Sequence, residues 1–489
     1  MRGKFMEKLT NLNLSMFADF YAFATANGFL AEKIDETVVW FDMFFRKNPN
    51  DGGFAVMAGV EQLCEYLSNL KFDEGDIEFL RSQGLSESFL DYLRDFKFAC
   101  DVWAVPEGTP VFPGEPIVKV KGPIIQAQLI ETVLLMTINH QSLIATKANR
   151  IVRAAQGRKI VEFGTRRAHG IFASLYGSRA AYIGGCSATT SIAAASQLKI
   201  PLFMGMNHSF IQMFPDELDA FRAYARSYPD NCVLLIDTYD SMNSGIKNAI
   251  RVFNEEILPL GYRPKGVRID SGDLAYLSKK LRRELNDAGF PDCDIIASNS
   301  LDEYIIREMQ QHGARVDTYL CGERLITSST SPVFSGVYKL AAVEENGEAQ
   351  PKIKLSQNVT KITTPCPKLL WRLFDNETGK AIADVLTLED EDLGRADSYE
   401  LFDPDYTWKR KTVDNFVARQ LLVPVFKNGE CVYKSPSLDE IRSYCAEQID
   451  TLWEEVLRFE NPHNYYVDLS RKLWEIKHKM MDEMNGYGD

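Results

Sequence analysis

Two arginines follow directly on an apolar run in Glu162-Phe163-Gly164-Thr165-Arg166-Arg167. A guanidinium presents a planar fork of N–H donors that matches phosphate oxygens two at a time, so the pair suits a phosphorylated ligand; the alternative is two solvated surface arginines. Phe163 beside them is either a core residue or a ring face for a flat ligand. In Met206-Asn207-His208-Ser209 a histidine follows the apolar run 200–204. Such a residue is a satisfied structural histidine, a general base, or a nucleophile that accepts a phosphoryl group. Leu235-Ile236-Asp237-Thr238-Tyr239-Asp240 and Gly266-Val267-Arg268-Ile269-Asp270-Ser271-Gly272-Asp273-Leu274 each end a short apolar run in a polar cluster. Asp237 and Asp240 either cap the next helix or face a common mouth, and either Ser271 or Asp273 suits the N-cap of the helix that starts at Leu274. Together Asp237, Asp240, Asp270 and Asp273 put four acids after two strands, an environment for Mg²⁺ and a polyphosphate.

Other phosphate and hydrolase machinery is missing. The chain has no G-x-x-x-x-G-K-[ST] loop, no strand–G-x-G-x-x-G–helix, no H-E-x-x-H and no G-x-S-x-G elbow. The six histidines show no metal-ligand spacing, which argues against zinc.

The elements that must position these residues alternate regularly. Apolar strand segments are expected at 159–163, 200–203, 232–236, 266–269, 294–297 and 318–320, with helices at 216–227, 245–258, 274–288 and 301–312. This β/α rhythm implies a parallel sheet or barrel, whose active site forms at the C-terminal ends of the strands, where the polar clusters fall. The cluster Ser298-Asn299-Ser300 occupies the same kind of position. Before this region come a buried strand at 38–46, helices near 56–70 and 75–95, a β-rich module at 97–122 rich in Pro and Gly, and a long helix at 124–156. After it come strands at 337–340 and 352–355 and a helical tail at 437–459 and 467–485. The expected division is 1–157, 158–335 and 336–489.

Composition narrows the class. A net charge of −13 speaks against general binding to nucleic acid or to an anionic membrane, so an anionic ligand needs locally concentrated arginines. Nine cysteines, without a C-x-x-C pair, suit free thiols in a reducing cytoplasm. No signal-peptide core and no apolar run near the ~20 residues of a membrane span is present, so a cytoplasmic protein is expected.

These motifs, with Asp42-Met43-Phe44-Phe45-Arg46-Lys47-Asn48-Pro49, Phe54-Ala55-Val56-Met57-Ala58-Gly59 and Pro351-Lys352-Ile353-Lys354-Leu355-Ser356, occur in one order along nearly the whole chain. In that order and spacing they resemble the nicotinate phosphoribosyltransferase family. The resemblance implies an irregular β/α barrel of the type II phosphoribosyltransferase kind, with a β-rich N-terminal module and a C-terminal extension. It implies transfer from phosphoribosyl pyrophosphate to nicotinate, with ATP as co-substrate and Mg²⁺ as cofactor. By position, Arg166 and the loop at Gly322 would hold phosphate, and Arg268 would lie by the pyridine carboxylate and the ribose phosphate. Phe163 would stack on the pyridine, and Tyr21 of Asp19-Phe20-Tyr21 would cover its other face, often from the partner of a homodimer. His208 would be phosphorylated by ATP. Asp237 and Asp270 would sit near pyrophosphate, ribose and Mg²⁺, and Ser271 would be a substrate-binding residue.

The chain departs from the family pattern in three places. Met204-Gly205-Met206-Asn207-His208-Ser209 stands for G-T-M-A-H-S, Leu320-Cys321-Gly322-Glu323-Arg324 contains the position of G-x-G-T, and Pro365-Cys366-Pro367-Lys368 replaces P-G-x-K. Glu323 would repel a phosphate unless it points away or Arg324 neutralises it. The competing readings are a nicotinamide-using enzyme of the same fold and a non-catalytic relative that binds pyridines or nucleotides.

Overall fold

The structure is a computed structural model that describes residues 13–358 and 361–484. The chain forms two compact units, one being Leu143–Pro332 and the other ending at Ser142 and resuming at Val333.

The unit Leu143–Pro332 is built on six parallel strands: β1 (Lys159–Glu162), β2 (Ala188–Thr189), β3 (Val233–Leu235), β4 (Gly266–Ile269), β5 (Asp294–Ser298) and β6 (Thr318–Cys321). Their order is β2-β1-β6-β5-β4-β3, an open and irregular barrel. Every neighbouring pair is parallel, so all six C-terminal ends lie on one side. Val161, Val233, Ile296 and Leu320 form a buried cluster inside it, with Phe163 and Phe203 packed on that cluster. The strand interiors are largely apolar because a sheet covered on both faces leaves few positions for solvated side chains, and the polar residues Glu162, Arg268 and Ser298 within them are buried.

The covering helices follow the expected periodicity. Leu274–Asp287 buries Leu274, Ser278, Leu281 and Leu285, a stripe at spacings of four, three and four. The segment expected as one helix over 245–258 is a short α-helix, Ile246–Val252, between two π turns, Ser241–Gly245 and Phe253–Ile257. The first turn packs so closely that a Cβ on Gly245 would sit 1.9 Å from the carbonyl oxygen of Ile236, which requires glycine there.

One expected strand is displaced. Residues 200–203 contribute only a single bridge, Leu202 to Thr189, and β2 holds the sheet position beside β1. Two residues of strand are too short for an alternation pattern to register.

The other unit contains a seven-stranded sheet in the order Glu348–Pro351, Gly336–Glu345, Val38–Phe45, Val118–Pro123, Asp101–Ala104, Val423–Lys427, Glu430–Cys431. Residues 1–157 and 336–489, set apart in the sequence reading, thus share backbone hydrogen bonds, because Val38–Phe45 pairs antiparallel with Gly336–Glu345. The strand expected at 352–355 ends earlier, at Pro351. The tail expected as helix from 467 begins with the strand Val467–Leu469, and its helix is Arg471–Met484. At the centre of a second, four-stranded sheet, Arg372 pairs with Asp384 at 2.6 Å, both side chains fully buried.

Candidate active site

The site grows from the ends of β3, β4 and β5. Arg268, on β4 and only 7% exposed, donates from Nε to Ser298 Oγ at 2.9 Å and from Nη2 to Asp270 Oδ1 at 3.1 Å. Ser298, the last residue of β5, donates in turn to Asp270 Oδ1. Asp237, just past β3, accepts from the Asp270 backbone N–H at 2.8 Å and from Ser271 Oγ at 2.6 Å, both through Oδ2. It thereby clamps the turn after β4 to the end of β3, and its Oδ1 is buried without a hydrogen-bond partner.

The two cap alternatives resolve here. Asp273 caps Leu274–Asp287 by accepting from the Tyr276 N–H at 2.9 Å. Asp240 accepts from the Met242 and Asn243 N–H groups at 2.9 and 2.8 Å and from the Asn243 side chain at 2.9 Å. Those Asn243 and Met242 donors hold its carboxyl below the usual range. Asp240 and Asp273 are therefore structural caps, and Asp237 and Asp270 are the acids left at the strand ends.

His208 opens a short helix, His208–Gln212, whose N-cap is Asn207, bonded to the Phe210 N–H at 3.0 Å. The asparagine that breaks the family pattern is thus a strong N-cap residue placing the histidine. His208 Nδ1 lies 3.0 Å from Thr238 Oγ1, and Nε2 lies 3.9 Å from Asp270 Oδ2.

Phe163 follows β1, and two guanidiniums lie by its ring: Arg166 Cζ at 4.2 Å and Arg268 Cζ at 5.0 Å from the centroid. The turn is held by buried Glu162, which accepts from the Gly164 N–H, from Ser178 Oγ at 2.9 Å and from Thr189 Oγ1 at 2.6 Å. A Cβ on Gly164 would meet Ile326 at 2.5 Å, so only glycine lets this turn pack against the loop after β6. In that loop Gly322 precedes the short helix Glu323–Ile326. Arg324 pairs with Asp302 at 2.6 Å, whereas Glu323 lies 3.3 Å from Ser300 Oγ and 4.0 Å from Arg167 Nε.

A cavity of about 590 Å³ gathers Phe163, Arg166, His208, Arg268 and Asp270, with Leu202, Met204 and Leu320 as an apolar wall. Asp237, Ser271 and Gly322 are not among its lining residues: Asp237 and Ser271 connect to it through the Asp270 backbone N–H and the Asp237–Ser271 hydrogen bond, and Gly322 directly follows β6. Tyr21 belongs to the other unit. Its ring is half exposed, and its hydroxyl donates to Glu131 at 3.1 Å. A larger recess of about 820 Å³ in that other unit, lined by Asp403, Lys409 and Tyr465 among others, contains none of the expected site residues.

Ser298 and Thr238 received no role from sequence, although both lie inside quoted strand-end clusters. That shared position was the available signal. Ile192, Leu202 and Met204 in the apolar wall carried none.

For magnesium, no group of three or more His, Cys, Asp or Glu among the described residues makes an all-protein cage. A Mg²⁺ ion needs only one or two carboxylates when phosphates and water fill its other positions. The unpartnered Asp237 Oδ1 and the Asp270 Oδ2 fit that more modest role.

This pocket belongs to a chain with extensive likeness to known proteins. Residues 16–139 match the family model described as nicotinate phosphoribosyltransferase N-terminal domain, and residues 367–477 match the C-terminal domain of the same family. A nicotinate phosphoribosyltransferase of Bacillus subtilis is 41% identical over 96% of this chain and 96% of its own length. One from Caenorhabditis elegans is 34% identical over 98% and 95%. The crystal structure of human nicotinic acid phosphoribosyltransferase superposes with a TM-score of 0.83 at 28% identity, covering 95% of this chain and all of that one. With its two family domains matched and its fold shared end to end, the chain belongs to the nicotinate phosphoribosyltransferase family.

Proposed function

We propose that this chain transfers the phosphoribosyl group of phosphoribosyl pyrophosphate to nicotinate, giving nicotinate mononucleotide and pyrophosphate in NAD salvage. The observation that carries this reading is the convergence of Arg166, Arg268, Phe163, His208 and Asp270 on one strand-end cavity in a member of this family.

The chemistry asks little of a protein base, because the pyridine nitrogen already holds a nucleophilic lone pair. Positioning and electrostatics do most of the work as pyrophosphate leaves an oxocarbenium-like ribosyl centre. Arg268 reads the nicotinate carboxylate, and Phe163 offers its ring beside it. Arg166 and the loop at Gly322 hold the 5′-phosphate. Asp237 and Asp270 would hold Mg²⁺, which would supply positive charge to the departing pyrophosphate. A ring nitrogen of His208 attacks the γ-phosphorus of ATP and releases ADP; the phosphoryl group it carries adds negative charge beside the pyrophosphate position, and hydrolysis to phosphate restores the free imidazole. The half-exposed ring of Tyr21 supports its covering the pyridine in the site of a second copy, which makes the active species a homodimer. All nine cysteines are free thiols, which supports a cytoplasmic setting, and among the described residues no helix is long and apolar enough to cross a membrane.

The test is mononucleotide formation from phosphoribosyl pyrophosphate and Mg²⁺ with nicotinate or nicotinamide, with and without ATP. Turnover of nicotinate, raised by ATP, is expected. Turnover of nicotinamide alone would move the assignment to the amide-using enzyme, and ligand binding without product would make the chain a non-catalytic relative.

A further inference from the structure

We propose that Ser298 is a positioning residue that decides which edge of the Arg268 guanidinium faces the substrate. The inference rests on the reading of Arg268 given above, and its basis is a closed ring of hydrogen bonds. Ser298 Oγ accepts from Arg268 Nε at 2.9 Å and donates its single proton to Asp270 Oδ1, which also accepts from Arg268 Nη2 at 3.1 Å. A hydroxyl has one proton and two lone pairs, so it can bridge a cation and an anion in this way, whereas no apolar side chain can. Ser298 Oγ also lies 3.4 Å from the carbonyl oxygen of Ile269, the other acceptor within its reach.

The ring has consequences for what remains free. With Nε committed to Ser298 and Nη2 to Asp270, Arg268 Nη1 makes no hydrogen bond to a described residue, and Arg268 lines the cavity. Asp270 Oδ2 is likewise left on the His208 side. Ser298 is 1% exposed and so touches no substrate itself. Strand register brings it there: Ala297 on β5 pairs with Ile269 on β4, which puts Ser298 beside Asp270. A guanidinium without this bridge would turn about its last torsions and present a different pair of donors to the carboxylate.

The experiment uses the full chain and the Ser298→Ala, Ser298→Cys and Ser298→Thr variants. Crystal structures would locate the guanidinium, and kinetics would compare nicotinate with nicotinamide. Ala removes the hydroxyl; Cys keeps the volume but hydrogen-bonds weakly; Thr keeps the hydroxyl. The expected result is a rotated guanidinium in the Ala and Cys variants. Their KM for nicotinate should rise about ten- to a hundredfold with a reduced preference for acid over amide, and Thr should restore both. A guanidinium that stays in place, or a Cys variant that behaves as wild type, would overturn the proposal by making Ser298 a mere space-filler. The two readings separate cleanly: nicotinate turnover by wild type and its loss in Arg268→Ala test the substrate assignment, while the guanidinium orientation tests Ser298 whatever the substrate is.

Discussion

His208 and Asp270 face each other at the strand ends, with Nε2 of the imidazole 3.9 Å from Oδ2 of the carboxylate. That separation is too long for a hydrogen bond and short enough for a charge placed on the ring to be felt at the carboxylate. A phosphoryl group on the ring would therefore change the charge sensed at Asp270. We expect His208→Ala to lose the stimulation of nicotinate turnover by ATP, a drop of about tenfold or more in the ATP-dependent part of kcat/KM. It should also take up no acid-labile label from γ-labelled ATP. Undiminished stimulation in this variant would remove His208 from the coupling.

Glu323 is not paired with its neighbour Arg324, which is committed to Asp302 at 2.6 Å. The cation nearest to Glu323 is Arg167, at 4.0 Å. Replacing Glu323 by Gln should tighten binding of phosphoribosyl pyrophosphate about two- to fivefold, the equivalent of the ~0.5–1 kcal/mol of an exposed charge interaction. Calorimetric titration would measure it, and weaker binding would mean that the carboxylate helps to hold the loop.

The other unit buries an ion pair at the centre of its four-stranded sheet. Arg372 donates to Asp384 at 2.8 and 2.6 Å, and Tyr465 adds a hydrogen bond to Asp384 at 2.9 Å. Burial and the neighbouring Asp384 carboxylate push Glu115 well above its usual range. Asp384→Asn leaves the Arg372 charge uncompensated and should cost about 3–5 kcal/mol in urea unfolding. Replacing both partners by apolar residues of similar volume should cost much less; an equal cost would show that packing, not charge pairing, dominates.

Asp468 should give a pH-dependent signature. Burial, followed by the nearby Asp403 carboxylate, raises its pKa from 3.8 to about 7. Between those values the folded state binds a proton that the unfolded chain has released, so this group lowers stability as pH rises. The loss begins as pH passes the unfolded value and is complete above the folded one. Asp468→Asn should match wild type near pH 4 and become the more stable protein by pH 8, measured by denaturant unfolding at each pH. A difference independent of pH would exclude this titration.

The strand-end signatures were legible because they are local. Glu162 to Arg167, Leu235 to Asp240 and Gly266 to Leu274 each join a short apolar strand to its own turn, and the β/α rhythm already implied that such turns meet at one end of a parallel sheet. Caps were legible only as alternatives. Asp240 and Asp273 proved to be caps, which leaves Asp237 and Asp270 as the candidate site acids.

Local pattern was enough for the barrel-like alternation, the family, and the charged groups of the cavity, Arg166, His208, Arg268 and Asp270. Their pairings depend on how distant segments come together. Ser298 meets Arg268 because β5 lies in register beside β4, 30 residues away in sequence. Arg324 meets Asp302 rather than Glu323, residues 38–45 share a sheet with 336–345, and two residues at 188–189 take the place expected for 200–203. Periodicity reports how one segment presents its own side chains. Register and closure report which distant segments meet, and they depend on the packing of the whole sheet.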